Sequence, residues 1–192
     1  MTPWLANAVM IADISWRLLL GVIGAESDYA LRAEHWGKRT DEALIALTAR
    51  DDAKLRHIIA TEWPDISFGL SQRIILYHYH GDRTPTLDNV LAVRQYVFTH
   101  PDIDLVEMAR NLAWRRDAIV AGDRDLSRVN GDVDLATAIS YNRGSYPANG
   151  HSYWTVYAGN VARFEASFAA VDSKLPDNVT SLPAQLIPNR GP

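Results

Sequence analysis

Cysteine is absent from all 192 residues. The absence excludes a disulfide framework, thiolate metal ligands and a thiolate nucleophile. It leaves the compartment open, because exported bacterial proteins often lack cysteine as well. A clustered basic face is missing too: 19 lysine and arginine residues stand against 23 acidic ones, for a net charge of -4. That balance does not predict a nucleic-acid partner, which needs a concentrated positive patch. No uninterrupted apolar stretch reaches the length of a membrane span. The apolar run at the N-terminus has no basic residue ahead of it and holds Asp13 and Arg17 inside it, which is unlike a signal peptide. The expectation is a soluble monomer with no transmembrane segment.

Hydrophobic residues are plentiful at 47%, enough for a sizeable core. The length predicts one domain over residues 1–170, followed by a tail or linker over 171–192 that carries Pro176, Pro183, Pro188 and Pro192. Helical patterns dominate. Met1–Ala25 reads as a first, buried helix with Leu18, Leu19, Val22 and Ile23 inward. Glu26–Lys38 reads as loop. Thr40–Ile59 reads as one helix with Leu44, Ile45, Leu47, Leu55, Ile58 and Ile59 on a face. Ser67–Tyr79 fits helix or strand, with helix favoured by its neighbours, and any strand is expected near Glu62–Tyr79. Asp88–Phe98, Asp102–Val120, Asp134–Tyr141 and Tyr153–Ala170 complete a mainly α fold.

Glu26 stands where the first helix ends. A helix C-terminus carries partial negative charge, which disfavours a second negative group. Burial against the apolar residues before it also disfavours the anion. Both effects raise the expected pKa of Glu26, and a carboxyl that keeps its proton near neutral pH can act as a general acid. The plainer reading of Glu26 alone is a solvated surface carboxylate.

Two further stretches change that balance. Ser67-Phe68-Gly69-Leu70-Ser71-Gln72 follows the Glu26-Ser27-Asp28-Tyr29 stretch, and Ala138-Ile139-Ser140-Tyr141-Asn142-Arg143-Gly144 comes later. Gln72 and Asn142 each offer a donor and an acceptor, which suits sugar hydroxyl and N-acetyl groups. A glycine in the second stretch lets backbone approach a sugar closely. Taken in order, the three motifs resemble those of the soluble lytic transglycosylases and goose-type lysozymes: a Glu-Ser opening, a Gly-Leu-x-Gln turn and an Ala-Tyr-Asn-x-Gly segment. The resemblance covers about Leu18 to Phe164. It departs from the family pattern in placing the second motif farther from the Glu, with the Thr40–Ile59 helix as an insertion. Ser71 replaces the commoner Met or Phe, and Ser140 replaces Ala. Arg143 takes the variable position, where it either contacts substrate or faces solvent.

The resemblance implies a lysozyme-like domain with a helical insertion that cleaves the β-1,4 bond between N-acetylmuramic acid and N-acetylglucosamine in peptidoglycan. Glu26 would be the single catalytic residue of a lytic transglycosylase. Ser27, Tyr29, Phe68, Gln72, Tyr141 and Asn142 would bind the glycan strand, without metal or cofactor. A hydrolytic lysozyme (muramidase) or chitinase-like variant needs a base to activate water, and Asp28, Asp65 and Asp82 are its candidates. From another class, the chain would be a non-catalytic cell-wall-binding or virion module. The site of action in every version is the bacterial cell wall, as a phage lysin, a virion component or an exported enzyme. Trp36, Trp63 and Trp154 read as sugar platforms or as core. Tyr77-His78-Tyr79-His80 has no further ligands at metal spacing and reads as packing or cleft wall. Arg115-Arg116 reads as solvated.

Overall fold

In the computed structural model, which describes residues 3–74, 84–122, 124–143, 146–147 and 155–174, the apolar N-terminal run forms two helices instead of the one expected over Met1–Ala25. They are α1 (Pro3–Ala12) and α2 (Trp16–Ser27), bent by 119°. The cause is local. Asp13 takes a left-handed φ of 51°, which no α-helix continues through. Ser15 then caps α2, its Oγ accepting from the Leu18 amide at 2.9 Å.

The remaining elements are β1 (Glu34–Trp36), α3 (Thr40–Ala49), α4 (Asp52–Glu62), β2 (Ile66–Phe68), β3 (Arg73–Ile74), α5 (Leu87–Thr99), α6 (Pro101–Ala121), α7 (Val133–Arg143) and α8 (Thr155–Asp172). The described residues are mainly helical, as expected. No single helix among them is long and apolar enough to cross a membrane. Contacts divide the chain into two compact units, one of Met1–Ala25 with Ala109–Pro192 and the other of Glu26–Met108. The Tyr77–His80 alternation, Asp82, Gly144, Trp154 and the Pro-containing tail from residue 175 lie outside the described residues.

In the first unit, Leu18, Leu19, Val22 and Ile23 of α2 are buried as expected. Burying each such side chain contributes about 1.5–3 kcal/mol. Gly21 lets α2 lie against α8. A Cβ at residue 21 would stand 2.4 Å from the Phe168 ring, and the Gly21 carbonyl accepts from Ser167 Oγ at 2.7 Å. One turn earlier, the Arg17 guanidinium lies 4.5 Å from the centre of the Phe168 ring. It also pairs with Asp132 at 2.8 Å and Asp172 at 3.0 Å. Ser15 Oγ donates to Asp134 at 2.6 Å, joining the start of α2 to the start of α7.

In the second unit, the stretch expected as a single Thr40–Ile59 helix breaks at Arg50 and Asp51. Arg50 is left-handed at φ 55°, and the Asp51 carboxylate accepts from the Lys54 amide at 3.0 Å to start α4. The break resets the helical phase. Leu55, Ile58 and Ile59 stay in the core, but Leu44 and Ile45 are exposed rather than on the expected inward face. The core of this unit joins Trp36, Ala43, Ala46, Leu55, Ile58, Ile59, Ile66, Phe68, Leu87, Val90 and Val97.

The loop expected over Glu26–Lys38 contains β1, and within the helix favoured over Ser67–Tyr79 the described residues, which reach Ile74, form the end of β2, a turn and β3. The antiparallel sheet has the order β1-β2-β3, with His35 opposite Ser67 and Ser67 opposite Ile74. A helix fails here because Gly69 and Gln72 both have left-handed φ, at 80° and 44°. Glu34 ties β1 to α5. Its carboxylate accepts from Arg94 Nε at 2.8 Å and Nη2 at 2.6 Å, a bidentate pair, and from Trp36 Nε1 at 3.1 Å. Trp36 itself is a core residue, edge-on to Phe68 with ring centres 5.4 Å apart.

Two outcomes follow from this packing. Gly21→Ala forces a methyl into the Phe168 ring and is expected to lower unfolding free energy by about 1–3 kcal/mol in a denaturant titration. Asp134 gives a pH dependence. Burial raises its pKa above the ordinary value; the Ser15 hydrogen bond opposes that rise, Asp132 adds to it, and Arg17 and Arg116 oppose it. The folded chain therefore holds this proton to higher pH than the unfolded chain does. Stability falls as pH rises from the ordinary aspartate range through the raised value. Asp134→Asn removes that loss while keeping an acceptor for Ser15. Its melting temperature relative to the unsubstituted chain is expected to climb over the same pH range.

Candidate active site

Glu26 is half-buried and occupies the last turn of α2, one residue before the helix ends at Ser27. Ser27 is itself buried. The helix stops because Asp28 and Tyr29 both take left-handed backbone, with φ of 49° and 60°. The Ala30 amide then donates to the Ser27 carbonyl at 2.9 Å and closes the turn. A left-handed conformation costs a non-glycine residue about 1–2 kcal/mol, and two in succession, one of them a tyrosine, are uncommon outside functional or tightly constrained segments. Tyr29 is about half exposed and Asp28 is exposed.

The second motif is a hairpin turn closed by its own side chains. Gln72 Nε2 donates to the Gly69 carbonyl at 2.9 Å, and its Oε1 accepts from Ser67 Oγ at 3.0 Å. These bonds fix the half-buried side chain of Gln72 at the turn. Phe68 is 1% exposed and packs between Trp36 and Phe98, with the Phe98 ring centre 6.2 Å away. Its ring belongs to the hydrophobic core.

Gly69 also serves an internal purpose. A Cβ on Gly69 would stand 2.3 Å from Val97 Cγ1 and 2.9 Å from Asp104 Oδ2. The buried Asp104 carboxyl accepts from Ser71 Oγ at 2.6 Å and from the Ser71 amide at 3.3 Å. Ser71, the residue at which the motif departs from the commoner Met or Phe, is thus the hydroxyl that satisfies a buried carboxyl.

Tyr141 and Asn142 lie in the last turn of α7, Tyr141 half-buried and Asn142 exposed. Asn142 Oδ1 accepts from Asn160 Nδ2 of α8 at 3.0 Å. Arg143 is exposed. The expectation that Arg115 is solvated is overturned. Arg115 is buried, and its Nη1 donates to the Ser140 carbonyl at 2.8 Å and to Ser140 Oγ at 3.1 Å. Its Nε donates to Asn111 Oδ1 at 2.7 Å.

Glu26, Ser27, Tyr29, Phe68 and Gln72 belong to the unit of residues 26–108, and Tyr141 and Asn142 to the other. Trp63 is half-buried and Asp65 exposed. Among the described residues no group of histidine and carboxylate side chains is arranged to hold a metal ion.

Asp104 and Arg115 escaped the reading of the sequence. Asp104 sits among the acidic residues of the first turn of α6, where a solvated carboxylate serves the helix dipole equally well. Its partner Ser71 lies 33 residues away. Arg115 stands in an Arg-Arg pair, and its partner Ser140 lies 25 residues on.

Compared with protein-family models, with curated proteins and with solved structures, the chain matches none.

The Gly69–Gln72 turn generates a stability test. Ser71→Ala removes the hydroxyl donor from the Asp104 carboxyl and is expected to cost about 1–3 kcal/mol. Gly69→Ala adds left-handed strain and a methyl against Val97 and Asp104, and is expected to cost more than Ser71→Ala. Urea unfolding of both variants checks the order.

Proposed function

We propose that the chain is a peptidoglycan-cleaving enzyme of the lytic transglycosylase type, with a lysozyme-like fold and Glu26 as its general acid. The observation that carries the reading is the position of Glu26. A half-buried carboxyl lies in the last turn of a core helix and is followed by two left-handed residues. A carboxyl that holds its proton in that place can donate it to a leaving oxygen.

In the proposed reaction Glu26 gives its proton to the glycosidic oxygen between N-acetylmuramic acid and N-acetylglucosamine as the C1–O bond breaks. The muramyl C6 hydroxyl then attacks C1 and returns its proton to the Glu26 carboxylate. The products are a 1,6-anhydromuramyl end and a free N-acetylglucosamine 4-hydroxyl. One carboxyl serves both steps, so no base is required to activate water. Ser27 and Tyr29 flank the acid in sequence. Gln72, Tyr141 and Asn142 supply donors and acceptors for sugar hydroxyl and acetamido groups. Phe68 supports the Gln72 turn from the core.

Glu26→Gln keeps the size and hydrogen-bonding shape of the side chain but has no acidic proton. Release of muropeptides from purified cell wall is expected to fall by about 10²–10⁴-fold, the usual contribution of general acid catalysis, while the melting temperature is held or raised. Asp28→Asn and Asp65→Asn are expected to leave activity within about threefold, because they are not assigned proton transfer. Mass spectrometry of the released muropeptides distinguishes anhydro ends from reducing ends. A Glu26→Gln variant that clears wall at the normal rate refutes the assignment of the acid, and reducing-end products from the unsubstituted chain refute transglycosylation.

A further inference from the structure

Arg115 is buried, and an arginine charge removed from water is costly unless its donors are satisfied. Two of the acceptors it uses belong to one residue near the end of α7, Ser140. Helix α7 ends at Arg143, so the Ser140 carbonyl is among the last four, whose intrahelical donors would have to come from beyond the helix. Arg115 Nη1 reaches that carbonyl from α6 at 2.8 Å and takes the Ser140 hydroxyl at 3.1 Å as well. The guanidinium is held in turn by Asn111, one helical turn back on α6, whose Oδ1 accepts from Nε at 2.7 Å. A cation at the negative end of a helix is favourably placed. Helix ends otherwise fray, and the last turn is the least protected part of a helix. The residues after Ser140 in that turn are Tyr141 and Asn142, and Asn160 of α8 holds Asn142 Oδ1 at 3.0 Å. The turn is thus tied from α6 at its backbone and from α8 at a side chain.

We infer that Arg115 is a positioning residue for saccharide binding: it caps the C-terminus of α7 from the side and holds Tyr141 and Asn142 in the geometry in which they meet the glycan. The inference rests on the proposed glycan-cleaving function for what Tyr141 and Asn142 bind, and on the hydrogen bonds alone for what Arg115 holds. Arg115 touches no reacting atom in this scheme. Its loss therefore weakens binding made equally in the ground state and the transition state, which appears in KM and not in kcat.

The test uses the full chain with Arg115→Met, Arg115→Lys, and Arg17→Met as a control that removes a different arginine from the same unit. Residue-resolved amide hydrogen exchange and kinetics on soluble glycan strands are measured on each. Arg115→Met is expected to speed exchange at Tyr141, Asn142 and Arg143 by about tenfold over any change in α8. It is also expected to raise KM by about tenfold, with kcat within about threefold. Arg115→Lys keeps the charge but not the guanidinium fork, and is expected to fall between. Arg17→Met is expected to leave KM and those three amides unchanged.

Exchange at the three amides that rises no more than in α8 overturns the inference. So does an unchanged KM, or an equal rise in KM from Arg17→Met. If Arg115→Met yields no folded protein, the lysine variant decides: exchange and KM at the unsubstituted values overturn the inference, and intermediate values uphold it. If the unsubstituted chain releases no muropeptides, the proposed function fails by itself, and the exchange data still decide whether Arg115 holds the end of α7.

Discussion

The absence of a side chain at residue 21 lets α2 and α8 meet closely in the first unit. Helix α2 reaches α8 closely enough for Phe168 to cover the Gly21 backbone and for Ser167 to bond its carbonyl. Leu18, Leu19, Val22 and Ile23 of the same helix are buried, and Arg17 finds both the Phe168 ring and its carboxylate partners. The same helix ends in Glu26 and Ser27. A glycine inside a helix is unfavourable on propensity alone, by about 1 kcal/mol relative to alanine. Close helix packing is the compensating gain.

Left-handed residues set the ends of several elements. Asp13 separates α1 from α2, Arg50 separates α3 from α4, and Asp28 with Tyr29 closes α2. At Asp13 and Arg50 the strained residue is followed within two positions by a side-chain cap, Ser15 or Asp51, that starts the next helix. After Tyr29 the chain turns toward the strand at Glu34–Trp36, with a hydrogen-bonded turn between Ala30 and Ala33. The stretch carrying the candidate acid thus has two strained residues and no helix immediately after it, a different arrangement from the ordinary helix-to-helix breaks elsewhere in the chain.

Much of this was legible in the sequence and some of it was not, for identifiable reasons. The burial of α2 showed in its composition, because four large apolar residues at helical spacing have no other stable place. The Ser15 and Asp51 caps were present as residue types, but hydrophobic periodicity spoke louder than punctuation and joined each pair of helices into one. Ile66–Phe68 was ambiguous because a short apolar run fits strand and helix equally, and the deciding facts were its pairing with Glu34–Trp36 and the left-handed Gly69 and Gln72. The motif residues at the ends of α2 and α7 stand out in the sequence as candidates, but Asp104 and Arg115 do not. A buried polar group is recognised by its partners, and Ser71 and Ser140 are distant in sequence and ordinary in type.

The joining of α2 to α8 also has a consequence in time. The Ser167–Gly21 bond closes over 146 positions of chain, and ribosomes add about 5–20 residues per second. Gly21 is therefore made early and waits on the order of ten seconds or more for the Ser167 and Phe168 contacts that close on it. The unit of residues 26–108 is continuous in sequence and is synthesised entirely within that interval. The Gly21 face of α2 thus stays open in the nascent chain until Phe168 and Ser167 of α8 are made. Slowing synthesis between residues 108 and 155 would prolong that exposure and change the yield of folded chains without altering a single contact in the finished protein.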